Sequence, residues 1–302
     1  MTITTLMLGV ITGLALASVY ILVAVSFTII LAASGVFNFA QGTVVMIGTI
    51  LAFVLGVQLG WAPLATAAAT AGAGVLAGLL THLVAVWPAM GRSRSFSHTT
   101  MLTTIGLATA VNSFASILFG SDSHRVPSYV SEDPLFLLSI PVRPIYLLMI
   151  ATGIAVTVAV EWVVRRTSVG HIFRATLEDP ECAQLFGVNT GKVIAIAFGL
   201  AGAMSALAGM LIAPVIAASA YSAQELAFYG FAGMALSGFG SFAGALFGSV
   251  IVGLISGIVP SIANPQLALP LIWLVVVAIL LVKPSGLWGT AGLFGSGRIR
   301  EV

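Results

Sequence analysis

The first 91 residues contain no Asp, Glu, Lys or Arg. A water-soluble domain needs charge on its surface, so a run of this length without any must fold where water is largely absent. Charged residues make up only 7% of the 302-residue chain and hydrophobic ones 59%, against about 25% charged in ordinary soluble proteins. Apolar stretches of roughly 20 residues recur, each long enough to cross about 30 Å of hydrocarbon as a helix. The chain therefore reads as all-α, a polytopic transmembrane bundle of about eight to nine spans forming one domain over residues 1–302. The N-terminus carries no basic leader or A-x-A cleavage pattern, so the first span is expected to be retained. The net charge of +2 is spread over connecting loops and gives no reason to expect nucleic-acid binding.

Hydropathy places spans near residues 6–33, 37–59, 62–86, 99–119, 144–164 and 192–217, a glycine-rich region at 226–259, and a last span at 267–282. Arg92 and Arg94 mark one basic loop; Arg165, Arg166, Arg174 and Lys192 mark another. The positive-inside rule puts both in the cytoplasm and the mixed-charge segment 120–143 outside. With 226–259 as a single crossing, the tail bearing Arg298 and Arg300 would lie outside, against that rule. Two short crossings joined near residues 238–240 return it to the cytoplasm, and this count is preferred.

Within the charge-free run, GVFNFAQGTVVMIG (residues 35–48) sets Asn38, Gln41 and Thr43 among Gly35, Gly42 and Gly48. Unpaired polar groups in hydrocarbon cost several kcal/mol, so these three side chains must face a bundle interior or a watered cavity. Flanking glycines permit local unwinding that would free backbone groups for a solute. Two roles stay open: lining a translocation path, of which a gate at the span's cytoplasmic end is one form, or hydrogen bonding between helices. Asn112, beside Ser113 in the fourth span, carries the same pair of alternatives. Small residues spaced by four, Gly240, Gly244, Gly248, then Ser249, Gly253 and Gly257, with Ser205 and Gly209 earlier, form stripes that let helices approach closely. They suit tight packing within the bundle, or a dimer face or moving seam.

Residues 165–192, with Glu161, hold eight of the twenty charged residues. Asp179 as N-cap, Pro180 at the first helical position and Gly187 as C′ predict a two-turn helix over 180–186, after another short helix near 170–178. Asn189 or Thr190 is placed to cap the next span. So short a helix is marginal alone. Either it packs on its own bundle, or Leu185 and Phe186, ringed by mixed charge, form a docking knob for another protein.

Trp61, Trp87 and Trp288 fall near span ends, as an interfacial belt would. His82 reads as a packed or snorkelling residue near a span end, and Glu225 as an outer-side headgroup or partner contact. No G-x-x-x-x-G-K-[ST] phosphate loop occurs, and His82, His98, His124, His171 and Cys182 lack metal-ligand spacing. No metal, catalytic set or bound cofactor is expected, so the chain by itself is not an enzyme.

Taken together, several segments resemble one family in the right order. GVFNFAQGTVVMIG is similar to G-x-x-N-F-A-H-G-E-x-x-M-x-G of the branched-chain amino acid (LivH-type) ABC importer permeases. RATLEDPECAQLFGVNTGKVIAIAF resembles that family's cytoplasmic loop. GFGSFAGALFGSVIVGL and KPSGLWG resemble its late glycine-rich segment and C-terminal motif. The resemblance implies an inner-membrane subunit of a prokaryote, working by alternating access beside a second permease subunit, two cytoplasmic ATPases that hold ATP and Mg, and a periplasmic or extracellular solute-binding protein. It further implies that the 165–192 loop couples to an ATPase, with Leu185, Phe186 and Gly187 as the anchor and Arg174, Glu178 and Asp179 at the rim. Gln41 and Thr43 stand where the family commonly has His and Glu, which bears on the solute. The competing class is an ATP-independent channel for a small neutral solute such as urea or an amide.

Overall fold

The computed structural model describes residues 3–89, 96–120, 122–137, 140–167, 170–172, 175–176, 180–239 and 241–287. Eight of its helices are long and apolar enough to cross a bilayer. The bundle is built around α1 (Ile3–Ser34), which is apolar on every side and the most buried of these spans. Several of its hydroxyls are turned back onto their own helix: Ser18 donates to Ala15 O at 2.6 Å and Thr28 to Ala24 O at 2.8 Å.

Next come α2 (Gln41–Phe53), which runs on through a π-helical turn at Val54–Gln58, and α3 (Pro63–Thr81), which runs on through another at His82–Val86. The peripheral α4 (Phe96–Phe119) leads to a short antiparallel hairpin, β1 (Leu135–Leu137) with β2 (Ile140–Val142). The sequence reading had no hairpin there; Ile140 and Val142 are buried at its edge against α1. The chain continues as α5 (Pro144–Arg166), the small α6 (Pro180–Leu185), α7 (Thr190–Ile216), α8 (Ser222–Ser237), α9 (Phe242–Ile262) and α10 (Ala268–Val282).

The glycine-rich region is two helices. Gly238, at φ +104°, ends α8, and the Ser241 side chain caps α9 by accepting from Gly244 N at 3.0 Å. At 16 residues α8 rises about 24 Å, short of the roughly 30 Å hydrocarbon thickness, yet it links the two ends of the bundle. At one end His124 bridges to Ala218, Phe53 stacks on His124, and Tyr129 donates to Met210 O. At the other, Phe37 packs edge-on against Phe239, and Leu287 N donates to Leu236 O at 3.1 Å. Residues 286–287 thus return to the end where α1 finishes, as the two-crossing count requires. Arg298, Arg300 and Trp288 lie outside the described residues.

Glycine decides how closely these helices approach. On α2 and α7, a Cβ added at Gly48 would collide with the Ala206 carbonyl, and one at Gly209 with the Val45 carbonyl. The α9 stripe is also spent inside the chain: Gly244 and Gly248 face α8, while Gly253 and Gly257 face Ala17, Gly13 and Gly9 of α1. Gly240 is outside the described residues.

Candidate functional site

The polar interruption at residues 35–48 folds as a turn and a helix start. Gly35 takes φ +69° after α1, and regular helix begins only at Gln41, four residues later than the span placed at 37. Asn38 holds the turn. Its Oδ1 accepts from Ala40 N and its Nδ2 donates to Gln41 Oε1, both at 3.0 Å. Gln41 Nε2 in turn reaches Ser205 Oγ at 2.6 Å, Ser26 Oγ at 2.9 Å and Ala201 O at 3.1 Å. A carbonyl only accepts, so Ala201 O requires the amide nitrogen on that side. Ser26 donates to Val23 O and Ser205 lies 2.8 Å from Ser26, which completes a network over α1, α2 and the middle of α7.

Asn38 and Gln41 are each only 1% exposed, and neither is among the residues lining the two cavities described below. Gln41 bonds between helices, one of the two roles open for it, while the bonds of Asn38 stay within its own turn and to Gln41. Of the flanking glycines, Gly35 permits the unwinding, whereas Gly48 serves close packing. Thr43 is buried, its hydroxyl without a partner among the described residues. Ser26 completes the knot and was missed by the sequence reading; its signal was a hydroxyl, with Thr28 two residues on, deep in an apolar span. Gln41→Leu should strip the donor from Ser205 and Ala201 O and cost about 2 kcal/mol, read as a lower Tm in detergent. An unchanged Tm with impaired uptake would return Gln41 to the solute path.

The cavity lies beside this knot. A cleft of about 190 Å³ opens between α4 and α8, walled by Phe27, Phe39, Phe228, Phe231 and Trp273, with Gly42 of α2 at its side. Its polar groups are Thr109, Asn112 and Gln224; Asn112 Nδ2 donates to Gln224 Oε1 at 3.2 Å. Asn112 Oδ1 is buried without a partner among the described residues. Among the described residues, no carboxylate, ammonium or guanidinium lines the cleft. Such a site can enclose an apolar group and offer neutral hydrogen bonds beside it. His82 sits elsewhere, buried against Phe198, and Glu225 is exposed in the first turn of α8.

The charged loop supplies a third feature. After Pro180–Leu185 the chain closes with Gly187 at φ +83°, Val188 N donating to Ala183 O and Gly187 N to Gln184 O. These two bonds are the 6→1 and 5→2 pair of a Schellman closure, which holds a helix too short to persist alone. Gln184 Nε2 also donates to Thr190 Oγ1 at 3.0 Å, and Asn189 Oδ1 caps α7 through Lys192 N. Ala183 packs inward while Leu185 and Phe186 project, 88% and 84% exposed. Arg174, Glu178 and Asp179 lie outside the described residues; of the short helix expected near 170–178, residues 170–172 and 175–176 are described and helical.

A lipid-facing helical bundle with an uncharged, aromatic-walled cleft and a projecting apolar tip on its charged loop is a multi-pass membrane transport protein. The chain belongs to the family described as "Branched-chain amino acid transport system / permease component", which matches residues 9–282. It is 29% identical over 296 residues to the Escherichia coli K12 high-affinity branched-chain amino acid transport permease LivH, covering 92% of this chain and 93% of that one. It is 24% identical over 290 residues to BraD of Pseudomonas aeruginosa, covering 92% and 94%. With a probable LivH of Methanocaldococcus jannaschii the identity is 25% over 245 residues, 78% of this chain and 75% of the relative. No solved structure matches.

Proposed function

We propose that this chain is one transmembrane subunit of an ATP-binding cassette importer in a prokaryotic inner membrane, moving branched-chain amino acids or a closely related solute by alternating access. The observation that carries this reading is the Leu185–Phe186 tip: two large apolar side chains held out on a locked helix, at the end of the bundle where the basic segments lie. Exposed apolar anchors of this kind mark sites for another protein. The partner that fits is a cytoplasmic ATPase, one of two, which supplies ATP and Mg chemistry that this chain has no phosphate loop to perform. A second permease subunit and an extracytoplasmic binding protein complete the assembly. ATP-driven closure of the ATPases pulls on the tip, and the helices repack to expose the cleft alternately to each side.

The cleft supports the choice of solute. Its Phe and Trp walls suit a branched aliphatic side chain, and Asn112 with Gln224 offers neutral hydrogen bonds to the polar end. Because Gln41 is tied into the interhelix knot, its replacement of an ionisable family residue alters packing rather than the solute-facing surface. An ATP-independent channel gains no support from these relatives, each of which is named as a branched-chain amino acid transport permease protein, the last as a probable one.

Uptake of labelled leucine into vesicles carrying the complete complex tests this. Asn112→Leu and Gln224→Leu should each reduce uptake about tenfold, the loss of one or two solute hydrogen bonds, while subunit assembly is preserved. Uptake at the unsubstituted rate in both would remove the cleft from the path. Solute equilibration by the chain reconstituted alone would favour the channel.

A further inference from the structure

The end of the bundle away from the basic segments holds a second cavity, of about 130 Å³, between the π-helical turn of α2, the start of α3 and residues 126–129 of the crossing segment. At its wall is Thr66, 0% exposed, whose hydroxyl has no partner among the described residues. Leaving a hydroxyl buried and unpaired costs about 1–3 kcal/mol. The start of α3 adds further donors. Its N-cap, Ala62, has no side chain to offer, Pro63 occupies the first position, and Thr66 N is the first amide of the helix seen to reach a carbonyl, that of Ala62 at 2.9 Å. The free amides and the positive end of the helix dipole favour an oxygen acceptor. Tyr129 contributes only a ring, because its hydroxyl is committed to Met210 O; burial holds the phenol above its ordinary pKa, so it stays protonated.

What could bring an acceptor here is indicated by the outer face of α3. Leu64, Leu76, Leu80, Leu83 and Val84 are all exposed, with exposed Trp61 and Trp87 at the two ends of the row. The helical run Pro63–Val86 rises about 36 Å, enough to cross the hydrocarbon, and tryptophans at both ends are the mark of lipid interfaces. Trp61 belongs both to this row and to the cavity wall.

We propose that the cavity binds the headgroup region of a phospholipid, its phosphodiester or ester oxygens accepting from the Thr66 hydroxyl and the first amides of α3, its acyl chains lying along the α3 face. The test uses the purified, delipidated full chain in detergent, titrated with phosphatidylglycerol and followed by native mass spectrometry. One lipid should remain bound per chain. Thr66→Val, which keeps the shape and removes the hydroxyl, should weaken binding about tenfold, and Thr66→Ser should restore it. Gly56, where an added Cβ meets nothing within 4 Å, permits a second variant: Gly56→Leu adds bulk at the cavity wall and should also reduce binding. Lipid retention by Thr66→Val equal to the unsubstituted chain overturns the proposal. Displacement of the lipid by an equal concentration of inorganic phosphate does so too, since it would make this a free-anion site.

Discussion

Phe186→Asp and Leu185→Asp should each weaken co-purification of the ATPase subunits about a hundredfold and abolish ATP-driven uptake. Large apolar side chains at the centre of an interface are the residues whose loss costs 2 kcal/mol or more, and a buried carboxylate adds a desolvation penalty. The bundle itself should be untouched. Both side chains stand clear of the chain's own core, and the closure of α6 depends on backbone groups, Val188 N to Ala183 O and Gly187 N to Gln184 O. The Tm in detergent should therefore match that of the unsubstituted chain, which separates lost coupling from misfolding. Leu185→Met, keeping size and apolarity, should retain most of the activity. If both aspartate variants still pull down the ATPases and import solute, the tip is not the coupling element.

The second large effect is on stability. Gly209→Val places a side chain against the Val45 carbonyl and 3.1 Å from Thr49 N, so two backbones must separate rather than one side chain rotate. Overpacking typically costs 1–3 kcal/mol, and a backbone-on-backbone collision belongs at the upper end, about 3 kcal/mol. The damage should spread to the Gln41 knot, because Ser205 is one helical turn from Gly209 and must stay within reach of Gln41 Nε2. Gly48→Val, on the facing helix, should behave alike. Gly72→Val and Gly106→Val are the controls: both glycines are helical, and a Cβ there meets nothing within 4 Å. Similar Tm values for all four variants would mean that the α2–α7 seam yields more readily than its geometry implies.

Much of this was legible in the residue order. Absence of charge fixed the solvent, since hydrocarbon admits only segments that satisfy their own backbone, and run lengths then placed spans close to the eight found. The break at Gly238 and the closure at Gly187 were readable because a positive φ favours glycine so strongly. The Leu185–Phe186 tip could be singled out because apolar residues within a charged loop have no local reason to be there.

What the residue order left open was which polar side chains meet one another. Asn38 and Gln41 carried the same signal whether they faced a solute or a neighbouring helix. The partners that Gln41 meets, Ser26 and Ser205, lie 15 and 164 positions from it and are brought to the same depth by packing of α1 and α7. Asn112 and Gln224 likewise face one cleft only because α4 and α8 are neighbours. Hydropathy is a property of each segment by itself and settles what can enter a membrane. Pairing between segments depends on glycine-sized gaps and rotations about each helix axis, which only the assembled bundle determines.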